Sequence, residues 1–81
     1  MKKKTHKVYE FEKELKVQAA LGTMKVAKLL WVTDDTKRSF PELENYIGYF
    51  AEVVIDCLGT AVIKFHDGYT VLIERYTLEF L

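Results

Sequence analysis

The dipeptide Asp67-Gly68 constrains this chain more than any other pair among its 81 residues. It separates two runs rich in β-branched and aromatic residues, Thr60–His66 and Tyr69–Arg75, which is the pattern of a β-hairpin. Side chains alternate along a strand, so a one-residue slip in the loop exchanges the two faces. A two-residue loop pairs His66 with Tyr69 and sets Lys64 beside Val71 on a mixed face. A three-residue loop, His66-Asp67-Gly68, puts Gly68 at the left-handed position of a type I turn with a G1 bulge. Only glycine holds that conformation cheaply. Phe65 then faces Tyr69, Ile63 faces Val71 and Ala61 faces Ile73. One face becomes wholly apolar, so the three-residue loop is the expected one.

The same logic applies one turn earlier. A Cys57-Leu58-Gly59 loop pairs Asp56 with Thr60 and brings Ala51, Val53 and Ile55 onto the face of Ala61, Ile63 and Phe65. Residues 49–75 thus read as a three-stranded antiparallel meander with a nine-residue core face. On the reverse, Val54, Val62 and Leu72 line up as an apolar row. Beside it run Glu52, Lys64 and Thr70, with Glu52 and Lys64 expected as a cross-strand ion pair. The row has two readings. Another part of the chain covers it, or it is an exposed stripe that binds a protein partner through Val54, Val62, Leu72, Glu52 and Lys64.

Residues 8–21 are the leading candidate for a cover. A helical template finds Val8, Phe11, Leu15 and Ala19 in one stripe. A strand template matches more residues, Tyr9, Phe11, Leu15, Val17, Ala19 and Leu21, and is preferred on periodicity. The composition, rich in Glu, Lys, Leu and Ala, favours helix. This N-terminal extension is therefore strand or helix, with strand the expected form. Met24–Thr33 reads as a strand, apolar on both faces towards its end and so buried on both sides. Residues 34–38 read as a polar loop. Ser39-Phe40-Pro41-Glu42 resembles a capping box, opening one short helix near 40–47 that stops at Gly48. Residues 76–81 make a tight turn and a last short strand.

Hydrophobic residues make up 49% of the chain, enough for one small domain spanning 1–81 with a genuine core. Beginning at Met1, it reads as a complete short gene product. A single cysteine excludes an intrachain disulfide or a cysteine-based zinc site and fits a cytoplasmic location. No stretch approaches the roughly 18 apolar residues of a membrane span. Net charge is zero but bipolar: residues 1–28 carry eight lysines against three glutamates, and residues 29–81 four basic against nine acidic residues. That balance disfavours a general nucleic-acid coat. It leaves a local contact through the flexible basic tail at 1–7, using Lys2, Lys3, Lys4 and Lys7, with Trp31 stacking on bases.

Catalytic chemistry finds little to work with. Ser39 is the only serine and has a capping role. Cys57 and His66 sit in separate hairpin loops, and Cys57 has no basic sequence neighbour to lower its pKa. Asp34-Asp35 lacks the glycine and spacing of a calcium loop. Two histidines make a poor metal set. No enzyme activity, cofactor or metal is expected.

From residue 24 onward the order is strand, long loop with a helical turn, three-stranded meander, tight turn and last strand. That order resembles the SH3-like small barrel. The stretch Ala51-Glu-Val-Val … Val62-Ile-Lys-Phe-His-Asp-Gly-Tyr-Thr-Val-Leu-Ile looks similar to the core of Tudor-type barrels. The resemblance covers residues 24–81 and leaves 1–21 outside. It implies a mainly β, SH3-like barrel. Tudor-type domains hold methylated side chains in an aromatic cage, for which Trp31, Tyr46, Tyr49 and Phe50 are the available rings. The expected function is a non-enzymatic protein-protein interaction module or a small regulatory or inhibitory protein. Nucleic-acid binding is the alternative, and a homodimer through the last strand or the apolar row is a third possibility.

Overall fold

The computed structural model describes residues 4–81. Its frame is one antiparallel sheet of five strands: β1 (Val26–Leu29), β2 (Phe50–Asp56), β3 (Thr60–Lys64), β4 (Thr70–Glu74) and β5 (Leu78–Phe80). Their spatial order is β4-β3-β2-β1-β5, so β4 and β5 are edges and the sheet is open, not a closed barrel. The mainly β architecture built on a meander is as the sequence predicts. Ala51, Val53, Ala61, Ile63, Phe65, Val71 and Ile73 are all buried on one face, together with Ala27, Leu29, Leu43 and Tyr49.

The β3–β4 hairpin forms as expected. Lys64 pairs with Thr70, the Phe65 N–H donates to the Tyr69 carbonyl at 2.9 Å, and Gly68 donates back to Phe65 O at 3.0 Å. Gly68 has φ +87°, the left-handed conformation that the three-residue loop requires. The β2–β3 hairpin departs from expectation. Val53 pairs with Ile63, but Ile55 pairs with Val62 and Asp56 with Ala61, so β2 carries a bulge at Val54. The Cys57 N–H donates to Thr60 O at 2.9 Å. The loop is therefore Leu58-Gly59, two residues and not three. One residue has moved from the loop into the strand, and Ile55 leaves the predicted core face for the reverse.

Residues 8–21 form a helix, contrary to the strand expectation: α1 runs His6–Ala20. Its ends explain the outcome. The Thr5 hydroxyl accepts from the Val8 N–H at 3.4 Å, an N-cap. At the other end Gly22 sits at φ +75°. Gly22 N–H donates to Ala19 O at 3.1 Å and Thr23 N–H to Gln18 O at 3.0 Å, which is a Schellman closure. Two good caps and strong helix formers outweigh the period-2 match. The buried stripe is Val8, Glu12 and Leu15.

Glu12 is the unexpected member of that stripe, 4% exposed. Its carboxylate accepts the Phe50 N–H at 2.8 Å and the Lys4 ammonium at 2.9 Å, and Lys4 also donates to Gly48 O at 2.9 Å. The Phe50 N–H needs this partner because β3 ends at Lys64, opposite Glu52. α1 thereby lies against β2 and β1. The Lys16 ammonium stands 4.5 Å from the centre of the Phe50 ring.

The β1–β2 connection holds α2 (Asp34–Ser39) and a 3₁₀ helix at Pro41–Tyr46. The expected polar loop at 34–38 is thus helical. Thr33, not Ser39, supplies the cap: its Oγ1 accepts from Thr36 N–H at 3.1 Å. Ser39 ends α2, and the 3₁₀ helix has no side-chain cap. Pro41 occupies its first turn, and Leu43 is fully buried beneath it. Asp34 and Asp35 open α2 while Lys37 and Arg38 close it, the arrangement a helix dipole favours. β1 is shorter than predicted. Beyond Leu29 the chain turns outward, leaving Leu30 and Trp31 exposed and not buried on both sides.

Two stability measurements test this account. Glu12→Ala leaves Phe50 N–H and Lys4 without their acceptor and lowers unfolding free energy by about 3 kcal/mol in urea melts; Glu12→Gln, which keeps an acceptor oxygen, costs less. Gly68→Ala costs about 1–2 kcal/mol. An added methyl there meets open space, so that loss reports backbone conformation alone.

Candidate functional site

The reverse face of the sheet is divided. Its β1–β2 half carries Val26, Lys28, Phe50 and Glu52 by register, and α1 lies over that half. The β2–β3–β4 half is not covered. Val54 is 50%, Ile55 52% and Leu72 55% exposed, with Val62 half-buried between Ile55 and Leu72. At the hairpin tip Leu58 is fully exposed. The predicted row is therefore present, with one correction. The bulge seats Ile55, not Val54, directly across from Val62, and Val54 and Ile55 are both exposed. Nothing in the alternation of 51–56 announces a bulge, so Ile55 and Leu58 escape a reading of the sequence. Glu52 and Lys64 are directly opposed as predicted, but they form no close ion pair.

A charged cluster lies near the tip on the opposite face of the sheet, since Asp56 pairs with the core-face residue Ala61. Asp56 Oδ1 accepts from Arg75 Nε and Asp56 Oδ2 from Lys25 Nζ, each at 2.6 Å. The Arg75 guanidinium, followed by the Lys25 ammonium, holds the Asp56 carboxyl well below its ordinary range, at about 2. Asp56, Cys57, Leu58, Gly59 and Arg75 line a shallow depression of about 390 Å³.

A second feature lies at the opposite end of β3. Tyr46 packs on Phe65 at 4.4 Å and on Tyr69 at 5.2 Å between ring centres, and on Tyr49 at 5.8 Å. Tyr49, His66, Asp67 and Asn45 help line a cavity of about 250 Å³ beside the start of α1. His66 Nδ1 is buried there with no hydrogen-bond partner. Burial, then the hydrogen bond to Asp67, pushes the Tyr46 hydroxyl up to about 12. Burial and the hydrogen bond to Glu42 do the same for Tyr69. For Asp67, burial opposes ionisation, but the Tyr46 hydroxyl and Tyr69 N–H outweigh it and hold the carboxyl low. Of the four rings available for a cage, Tyr46 and Tyr49 converge. Trp31 packs instead on Tyr76 at 5.5 Å with the rings tilted by 60°, and Phe50 lies beneath Lys16 and Lys28.

The nucleic-acid set is not brought together. Lys2 and Lys3 lie outside the described residues. Lys4 is taken up by Glu12, by Gly48 O and by the Tyr49 ring, 4.8 Å away. Lys7 is exposed in the first turn of α1, so residues 4–7 belong to the helix and its cap and are not a free tail. Cys57 and His66 lie at opposite ends of β3. Among the described residues no cluster of three metal-ligating side chains occurs, and no helix is long and apolar enough to cross a membrane. No family model, curated protein or solved structure matches the chain.

The pKa shifts give two tests. A depressed carboxylate stabilises the fold above its unfolded value, and that contribution is lost as pH falls through the folded one. For Asp56 the window runs from 3.8 down to about 2. Acid unfolding of Asp56→Asn is accordingly less steep in this window than that of the parent chain. In alkali, Tyr46 and Tyr69 ionise only near 12, and Tyr46→Phe removes one of these late tyrosinate steps from the ultraviolet titration.

Proposed function

We propose that this chain is a non-enzymatic protein-binding module, a small regulator or inhibitor, and that it docks its partner on the open half of the sheet. The observation that carries the reading is the division of the reverse face. α1 covers the β1–β2 half, while Val54, Ile55, Leu58 and Leu72 remain half or fully exposed on the other. An apolar surface of this kind, with Glu52 and Lys64 at its side, has the make-up of a binding patch. Polar side chains at these positions would cost the fold little, since the sheet's other face supplies the core. An SH3-like small barrel is the proposed fold family. Its support is the succession of strand, long connection with a helical turn, meander, one 3₁₀ turn at Arg75–Thr77 and last strand. A cytoplasmic site of action accords with the one free cysteine.

The test uses Val54→Glu and Leu72→Glu. Both side chains are exposed, so each variant keeps the parent's circular dichroism and loses less than about 0.5 kcal/mol of stability. Each abolishes capture of the partner that the parent chain retrieves from its native host, identified by mass spectrometry. Unfolding of both variants identifies the row as core, and undiminished capture by folded variants moves the docking site elsewhere. Titration with single- and double-stranded DNA and RNA near 50 mM salt, where phosphate contacts are strongest, separates off the nucleic-acid alternative.

A further inference from the structure

The open face of the sheet runs out to an open edge. The ladder between β3 and β4 is bracketed by two backbone bonds, Phe65 N–H to Tyr69 O and Arg75 N–H to Gly59 O, each 2.9 Å. Antiparallel pairing alternates, so residues 69, 71, 73 and 75 direct their backbone groups to β3. Thr70, Leu72 and Glu74 direct theirs away from the sheet. The Glu74 carbonyl accepts from Thr77 Oγ1 at 2.8 Å, and the Glu74 carboxylate is held by the hydroxyls of Thr33 and Thr36. The remaining outward groups have no β-strand partner. Edge strands are ordinarily guarded by a proline, a lysine, a bulge or a covering element. β4 has the sequence Thr-Val-Leu-Ile-Glu with no bulge, and an exposed leucine stands at its centre.

We infer that this edge pairs with the same edge of a second copy, antiparallel, about a two-fold axis through Leu72. The inference rests on the reading of the open half-sheet as a binding surface and extends it to the strand edge: the second copy joins that edge and leaves the face itself free for a partner. The register is self-complementary, as an isologous contact requires. Leu72 meets the partner's Leu72, and Thr70 meets the partner's Glu74. Because Thr70, Leu72 and Glu74 all point outward, Leu72 and the partner's Leu72 exchange two N–H···O=C bonds, and in each Thr70–Glu74 pair the Glu74 carbonyl takes the Thr70 N–H beside the Thr77 hydroxyl it already accepts. On the open face the row Ile55–Val62–Leu72 continues into its symmetry mate as one apolar stripe. The adjacent row reads Glu52, Lys64, Thr70 and then the partner's Glu74, so no like charges stand opposite each other. A strand of a different protein would satisfy the backbone equally, but only a second copy is guaranteed this match of side chains.

The test is sedimentation equilibrium of the full chain across a micromolar-to-millimolar series, with amide exchange measured at both ends. The expected result is an apparent mass rising from 9.5 kDa towards twice that value. Exchange at the Thr70 and Leu72 amides slows as the mass rises. Thr70→Pro removes an outward N–H without breaking the β3 ladder, a position where an edge strand tolerates proline. It and Leu72→Lys stay monomeric while keeping the parent's circular dichroism, and Val54→Glu still dimerises. A parent chain that remains monomeric throughout overturns the inference, as does dimerisation of folded Thr70→Pro and Leu72→Lys. Loss of dimerisation in Val54→Glu with Thr70→Pro unaffected also overturns edge pairing, yet leaves the open-face reading intact. That reading fails separately, when folded Val54→Glu and Leu72→Glu retain the partner.

Discussion

The carboxylate of Glu12 decides how the two layers of this molecule meet. A buried charge is costly unless its oxygens are matched by donors, and Glu12 is matched by a lysine and by a strand N–H that has no other acceptor. That second donor exists only because β3 stops short of the start of β2. One irregularity in the sheet therefore specifies where a helix must place an acid. Val8 and Leu15 lie about one turn to either side on the same stripe. With Glu12 fixed, both are seated, and α1 has little freedom to rotate or slide. Its position in turn sets which part of the reverse face is sealed.

Seen this way, the open half-sheet is the remainder of a packing decision made at the other end of the helix. α1 is anchored near Gly48 and Phe50, at the beginning of β2, and lies over β2 and β1. Fifteen residues of helix serve the half of the sheet whose strands arrive from distant parts of the chain. The meander, held by local hairpins, carries its own register and is left without a second cover. Exposed apolar residues on such a self-sufficient unit cost the fold little.

The parts legible in the sequence are those where one local rule had no rival. Gly68 admits one economical turn, and its register follows through five paired residues on each side. The parts that misled are those where two rules competed. In residues 8–21 alternation spoke for strand and composition for helix, and the deciding evidence lay outside the segment, in Thr5 and Gly22. Glu12 is read as a solvent-side residue by any hydropathy pattern, since its partners come from positions 4 and 50. Ser39 matched a capping motif, but it closes α2, which Thr33 opens, and the 3₁₀ helix that follows has no side-chain cap. An apolar row was legible in outline, but residues 8–21, the leading candidate to cover it, lie over β1 and β2 instead; its membership was not legible, because a bulge leaves no mark on residue type when valine and isoleucine stand on both sides of it.

The bulge at Val54 has a consequence for how this segment can change over generations. A two-residue loop with one extra strand residue and a three-residue loop with none contain the same number of amino acids. The hairpin is thus built from two compensating irregularities, one at Gly59 and one at Val54. Losing a single codon between them would straighten β2 and return Ile55 to the inner face; gaining one in the loop would leave the strand as it is. Length, not only identity, therefore sets which residues between Val53 and Thr60 face inward.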